Sequence, residues 1–256
     1  MSEMLEVAKR AGLEAGKIAL ELRDKLKIKL KSNQSDIVTQ ADLASEKVIF
    51  SILKASFPMH NYISEEAGKK DNNSEYTWVI DPIDGTLPYA AGLPFFGISI
   101  GLLKNNKPFI GVINLPALKS LYWAENGKGA FLNGKRIKVS SVQDLSKAIV
   151  LFDYHYAGRR VADIKKILLK IVDKIRYPPT FASSVVSLAY VASGICHGDI
   201  HTAFPWDFVA GAAIIEEAGG KVTDYKGGDI DWSKDSIDLL ASNGKIHDEI
   251  LSLIRL

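Results

Sequence analysis

The sequence predicts an α+β protein. Three observations lead there: two N-terminal stretches with apolar residues at helical spacing, five short apolar runs separated by turn residues, and a second half in which strand-like and helical segments alternate. With 256 residues, 47% of them hydrophobic, the chain can bury a substantial core. We expect two joined subdomains, residues 1–138 and 139–256.

From Glu3 to about Leu26, Met4, Leu5, Ala8, Ala11, Ala15, Ile18, Ala19 and Leu22 recur at helical spacing with charges opposite. A polar loop of mobile composition follows through Lys31-Ser32-Asn33-Gln34-Ser35-Asp36. Leu43, Val48, Ile49, Ile52 and Leu53 then mark a second helix that ends before Pro58. Strands are expected at Asn61 to Ser64, Thr77 to Ile80, Phe96 to Leu103, Pro108 to Leu115 and Ser120 to Ala124. Gly127, Gly129 and Asn133-Gly134 read as hairpin turns. Such short links predict a largely antiparallel N-terminal sheet. The second half reads as a strand (Ala148 to Tyr154), a helix (Arg160 to Asp173), a helix (Ser184 to Ala192) and a strand (Asp199 to Phe204). A helix opened by Pro205 and closed at Gly219-Gly220 comes next, then a strand near Leu239 to Ser242 and a helix from Lys245.

The 32 basic and 30 acidic residues are scattered and give a formal charge of +2, so no basic stripe points to nucleic acid. One cysteine, Cys196, excludes an internal disulfide framework and a Cys-rich zinc site, and fits a reducing compartment. The N-terminus lacks a signal-peptide pattern, and no uncharged apolar run reaches the ~20 residues that span a bilayer. We expect a cytoplasmic protein without a membrane partner.

The segment Trp78-Val79-Ile80-Asp81-Pro82-Ile83-Asp84-Gly85-Thr86 carries the chemistry. It sets two carboxylates three residues apart where an apolar strand ends, then Gly and Thr. A sharp turn there can aim Asp81 and Asp84 at one hard cation and leave the Gly85 and Thr86 amides facing an anion. Glu65 and Glu66 also end a strand, and Asp207 begins a helix. Glu65, Asp81, Asp84 and Asp207 in one pocket would repel and raise one another's pKa values. Divalent cations relieve that repulsion, and all-oxygen ligands select Mg²⁺, Mn²⁺ or Ca²⁺ over soft metals.

Three motifs carry a resemblance: Ser64-Glu65-Glu66-Ala67, Trp78 through Thr86, and Pro205-Trp206-Asp207-Phe208-Val209-Ala210-Gly211 running to Glu217-Ala218-Gly219-Gly220. In this order they resemble the inositol monophosphatase family, within the metal-dependent, lithium-sensitive sugar-phosphatase superfamily that includes fructose-1,6-bisphosphatase. Lys31 through Glu46, Gly129 to Ser140 and Ser183 to Gly194 also resemble it. The resemblance implies a layered αβαβα sandwich with a smaller mixed C-terminal sheet, and often a homodimer. It implies that Glu65, Asp81 and the Ile83 carbonyl bind a first Mg²⁺, with Mn²⁺ as a possible substitute. Asp81, Asp84 and Asp207 would bind a second, and Glu65 would help hold a third. A water oriented by Thr86 and Asp42 would attack phosphorus in line while the second metal stabilises the leaving oxygen. Gly85 and Thr86 would hold the phosphate, and Ser183 and Ser184 would contact the sugar. Lys31 could close over the metals, and Arg159 and Arg160 could meet a second phosphate.

The chain departs from the family twice. Leu87-Pro88-Tyr89 replaces a Thr-Asn-Phe-like stretch, and Ile200 stands where inositol phosphatases place an acid, with Asp199 pointing to the other face of the strand. These departures speak against strict inositol selectivity. They favour a resemblance to archaeal enzymes acting on both fructose-1,6-bisphosphate and inositol-1-phosphate. An adenosine 3′,5′-bisphosphate 3′-nucleotidase and a non-catalytic metal- or phosphate-binding regulator are the alternatives. His155, His197 and His201 form no metal-ligand pattern and receive no role.

Overall fold

A computed structural model of the chain describes residues 1–31, 36–154 and 159–255. Helix α1 (Glu3–Leu22) starts where the Ser2 hydroxyl accepts the Leu5 N–H. Helix α2 (Gln40–Ser56) starts at a capping box: the Thr39 hydroxyl accepts the Ala41 N–H, and the Asp42 carboxylate accepts the Thr39 N–H at 2.8 Å. Between the helices β1 (Ile28–Leu30) and β2 (Ile37–Thr39) pair antiparallel, an addition to the predicted loop. Its residues 32–35, and with them its expected mobility, lie outside the described residues.

Eight strands build the larger sheet: β3 (Asn61–Ser64), β4 (Gly68–Lys70), β5 (Tyr76–Asp84), β6 (Gly97–Lys104), β7 (Lys107–Leu115), β8 (Ser120–Glu125), β9 (Gly129–Leu132) and β10 (Lys135–Arg136). Their order is β10-β9-β8-β7-β6-β5-β3-β4. Every pairing is antiparallel except β3 with β5, which run parallel. The cause is β4. It turns back along the outer side of β3, so the chain returns to the inner side running in the direction of β3. The Gly-Lys-Lys sequence of β4 has no apolar alternation to announce it.

The short helix α3 (Thr86–Ala90) follows β5. Beyond β10 come β11 (Val150–Phe152), a helical stretch made of α4 (Arg160–Asp163), a π-helical turn (Ile164–Leu168) and α5 (Leu169–Ile171), then α6 (Ser184–Ala192), β12 (Gly198–Ala203), α7 (Pro205–Glu217), β13 (Lys221–Thr223), β14 (Ile237–Ser242) and α8 (His247–Ile254). The second sheet has the order β11-β12-β14-β13. It is mixed, with β11 and β12 parallel and the rest antiparallel.

Three cores stack these elements in five layers. Alternate residues of the large sheet, among them Trp78, Ile80, Ile98, Ile100 and Val112, pack on Leu5, Ala8, Ala15 and Ile49 of α1 and α2. The intervening residues Val79, Ile113 and Leu115 face Val185, Leu188, Phe208 and Ile214 of α6 and α7, which Leu151, Leu239 and Ala241 of the small sheet cover from beyond. The outer face of that sheet, with Val150, Phe152, Ile200 and Leu240, meets Ile171, Ile250 and Ile254 of the last helices. Period-two alternation thus lets each strand serve two cores. A Cβ at Gly111 would lie 2.1 Å from the Ala210 carbonyl oxygen, so glycine there lets α7 settle directly on the large sheet. No helix among the described residues is long and apolar enough to cross a membrane.

Candidate active site

Side chains three apart on a regular strand face opposite ways, which would separate Asp81 from Asp84. Strand β5 avoids this with a bulge. Asp81 lies opposite Ser99 and Asp84 opposite Gly97, so three steps on β5 match two on β6 and both carboxylates reach the same side. Pro82 suits the irregularity because it has no N–H to leave unpaired. The Ile83 N–H donates to Asp81 Oδ1 at 2.9 Å. Gly85 then takes φ +80°, and a Cβ there would stand 2.8 Å from the Phe95 carbonyl oxygen, so the turn into α3 requires glycine.

Two helices deliver the remaining groups. Asp207 sits in the first turn of α7, where Pro205 occupies a position whose N–H has no intrahelical acceptor, and its Oδ2 accepts the Phe204 N–H at 2.8 Å. The start of α6 closes on Asp84. The Ser183 hydroxyl and the Val185 N–H donate to Asp84 Oδ1, and the Ser184 N–H to Oδ2 at 3.2 Å. Asp81, Asp84 and Asp207 each offer one oxygen, all within 4.8 Å of one another. At that spacing each charged pair repels by on the order of 3 kcal/mol at an effective dielectric of about 20.

Beside them, the Thr86 hydroxyl donates to the Ile83 carbonyl at 3.1 Å, with Asp42 Oδ1 3.4 Å away as its other acceptor. Glu65 reaches the same cavity from the end of β3, and Lys31 pairs with it at 2.8 Å and also with Glu66. Burial works against the Lys31 ammonium, but Glu65 and Glu66 outweigh it and push its pKa up. The acids are shifted too. Burial lifts Asp42 to about 6, against the Thr39 hydrogen bonds, and Glu65 to about 7, against Lys31. Burial first and the neighbouring carboxylates second hold Asp81 and Asp207 well above the usual range. Asp84, equally buried but hydrogen-bonded by α6, rises only to about 6.

This donor set fits a hard divalent cation. It is all oxygen and largely buried, and it is short of positive charge where Asp81, Asp84 and Asp207 meet. The cavity beyond measures about 410 Å³, a size for a small molecule.

The sequence profile described as the inositol monophosphatase family matches residues 1–255. The chain belongs to the inositol monophosphatase family. Members are metal-dependent and act on small phosphorylated sugars and polyols. Over 262 residues it is 36% identical to an Aquifex aeolicus protein named fructose-1,6-bisphosphatase/inositol-1-monophosphatase, covering 100% of this chain and 96% of that one. It is 33% identical over 261 residues to a Pasteurella multocida protein named Nus factor SuhB, covering 100% and 97%. The solved inositol monophosphatase from Anabaena superposes with a TM-score of 0.88 at 35% identity, over 98% of this chain and 94% of that one. The inositol monophosphatase family thus accounts for the α+β layering with one large and one small sheet.

The residues singled out from the sequence for the metals, the water, the transferred phosphate and the sugar lie at this cavity or in contact with a residue that does: Asp81, Ile83, Asp84, Gly85, Thr86, Ser183, Ser184, Asp207 and Glu65 line it, and Asp42 approaches Thr86. Of the basic pair, Arg160 lines the cavity while Arg159 is exposed at the start of α4. On β12, Asp199 and Ile200 lie on opposite faces. Ile200 is buried in the outermost core, and the strand reaches the cavity through His201, Thr202 and Ala203. His201, to which the sequence assigns no role, lines the cavity and is 4% exposed. The signal for it was Asp199-Ile200-His201 on a strand leading to Pro205: i and i+2 share a face. His197, by contrast, accepts the Ile149 N–H through Nδ1 and is structural; His155 lies outside the described residues.

Proposed function

We propose that the chain is a Mg²⁺-dependent phosphatase hydrolysing small sugar or polyol phosphate monoesters, with fructose-1,6-bisphosphate and inositol-1-phosphate as its leading substrates. The observation that carries the reading is the meeting of Asp81, Asp84 and Asp207 within 4.8 Å, beside the Thr86–Asp42 contact. Asp81, Glu65 and the Ile83 carbonyl would hold one Mg²⁺, and Asp81, Asp84 and Asp207 a second. Bound there, the ions supply Lewis acidity to the attacking and departing oxygens of phosphoryl transfer. The protein's own groups do the rest. Thr86, backed by Asp42, orients the attacking water and accepts its proton's hydrogen bond. The Gly85 and Thr86 amides receive the phosphate, and Ser183 and Ser184 lie where the alcohol would sit.

The experiment is a chelator-stripped enzyme returned to Mg²⁺ and assayed for phosphate release from fructose-1,6-bisphosphate, inositol-1-phosphate and adenosine 3′,5′-bisphosphate. We expect metal-dependent release from the first two. Release from the nucleotide alone would replace this reading with the 3′-nucleotidase one. A second reading follows from the relative named Nus factor SuhB: the chain would act by binding a macromolecular partner. No release from any ester with Mg²⁺ present would favour it.

A further inference from the structure

One buried group of charges at the cavity takes no part in the proposal above. Asp199 on β12 is fully buried, and neither of its oxygens receives a directed hydrogen bond from the described residues. Its compensation is His201, two residues on, whose Nδ1 stands 3.0 Å from Asp199 Oδ2. The opposite ring nitrogen, Nε2, lies 2.9 Å from Ser184 Oγ. Ser184 lines the cavity and donates its backbone N–H to Asp84. The line Asp199–His201–Ser184 therefore runs from the protein interior to the cavity wall and ends beside a candidate ligand of the second metal. Phe208 packs edge-on against the imidazole, with centroids 4.7 Å apart, and restricts its rotation. Burial opposes the charged ring, but Asp199 and Asp153 prevail and raise His201 to about 9.

A serine hydroxyl on its own chooses among three rotamers. Tied to Nε2, the Ser184 oxygen holds one place. With the ring charged by its ion pair to Asp199, Nε2 carries a proton for Ser184 Oγ, and the serine keeps its own proton for another acceptor. The cavity is where that acceptor can be. Because the Ser184 amide is bonded to Asp84, its hydroxyl stands on the cavity wall beside a candidate ligand of the second metal. A hydroxyl on the carbon next to the phosphorylated one would be its acceptor.

We propose that His201, pinned by Asp199, is a positioning residue that fixes the Ser184 hydroxyl against the hydroxyl neighbouring the phosphorylated carbon, and so selects polyol and sugar phosphates over esters lacking that hydroxyl. The inference rests on the phosphatase reading and deepens it.

Its test compares kcat and KM for inositol-1-phosphate and for phenyl phosphate, which has no such hydroxyl, at saturating Mg²⁺. Ser184→Ala, and His201→Leu combined with Asp199→Asn so that Asp199 is not left charged without its partner, should each lower the polyol-to-phenyl ratio of kcat/KM about tenfold, the worth of one hydrogen bond, chiefly through KM. Combining all three changes should add little further. His201→Gln, which keeps an N–H within reach of Ser184, should hold the ratio within about threefold of the unaltered enzyme. An unchanged ratio in Ser184→Ala, or an equal loss of kcat for both esters, overturns the inference and leaves the phosphatase reading standing. If the histidine variant fails to fold, Ser184→Ala alone decides. If the unaltered enzyme hydrolyses fructose-1,6-bisphosphate but neither of these esters, the inference falls and the phosphatase reading stands; no release from any of the three overturns both.

Discussion

Asp199, buried behind the cavity wall, and Asp81, Asp84 and Asp207, which line the cavity, are balanced in different ways. Asp199, on β12, has His201 at 3.0 Å, so its counter-charge is built into the chain. Asp81, Asp84 and Asp207 have one another within 4.8 Å; of the neighbouring cations, Lys31 is committed to Glu65 and Glu66, and His201, whose charge also eases Asp84 and Asp207, is committed to Asp199. Burying charge without a partner is costly, so the second arrangement is unfavourable to the folded chain until a cation arrives, whereas the first belongs to its stability. A buried acid alone therefore does not mark a metal site; what marks it is a deficit of positive charge that the fold leaves open. Asp84 stands between the extremes, since three donors at the start of α6 stabilise its ionised form and hold its pKa to about 6.

Asp84→Asn is the largest way to break this contrast. It removes a ligand charge at constant shape, so phosphate release should fall by on the order of 10³-fold or more. In chelator the same change should raise the melting temperature, because it relieves repulsion. Asp199→Asn should do the reverse, lowering stability by about 3 kcal/mol, the cost of removing one partner of a buried pair. Calorimetry of the two variants side by side checks the opposite signs. Equal destabilisation by both would show that the two sets are balanced alike.

A pH series sharpens the contrast at smaller amplitude. Carboxyl groups in an unfolded chain titrate near about 4, whereas in the metal-free fold Asp42 and Asp84 titrate at about 6 and Glu65 at about 7. Across that window the folded state binds more protons than the unfolded one. Metal-free stability should therefore fall as pH rises from about 4 to about 7. Saturating Mg²⁺ should flatten the slope, since metal binding displaces those protons. Denaturant midpoints measured with chelator and with Mg²⁺ test this; identical slopes would count against cation binding by these groups.

Most of the fold was legible because its strands and long helices carry clear periods. The start of α7 was marked by Pro205 and Asp207, and α6 by the Ser183 cap. What escaped had no period to show: β4 and β13 are three residues each, and β4 reads Gly-Lys-Lys. The parallel β3–β5 pairing escaped with β4, because the hidden strand reverses the chain an extra time. At the site, the carboxylates were legible as a motif, but the bulge that brings Asp81 and Asp84 together depends on the register with β6, which the residues of β5 do not encode alone. His201 escaped although its i, i+2 spacing to Asp199 was in the sequence, because which side of the strand is covered is decided by what packs on Ile200 from beyond.

The smallest expected effect belongs to Lys31. Its ammonium holds Glu65 at 2.8 Å, where a metal would compete for the same oxygen. Lys31→Met should tighten apparent Mg²⁺ affinity by a few-fold, as about 0.5–1 kcal/mol of competing ion pairing is lost, and this would show in the Mg²⁺ dependence of phosphate release. Weaker affinity would instead assign Lys31 to the metal-loaded state.

Diffraction from a crystal soaked in Mn²⁺ tests the central claim most directly. Anomalous density should lie among the Asp81, Asp84 and Asp207 carboxylates, with further density beside Glu65, and none should lie between Asp199 and His201. Carboxylates that stay together with no ion among them at millimolar Mn²⁺, or an ion bound elsewhere in the cavity, would contradict the account.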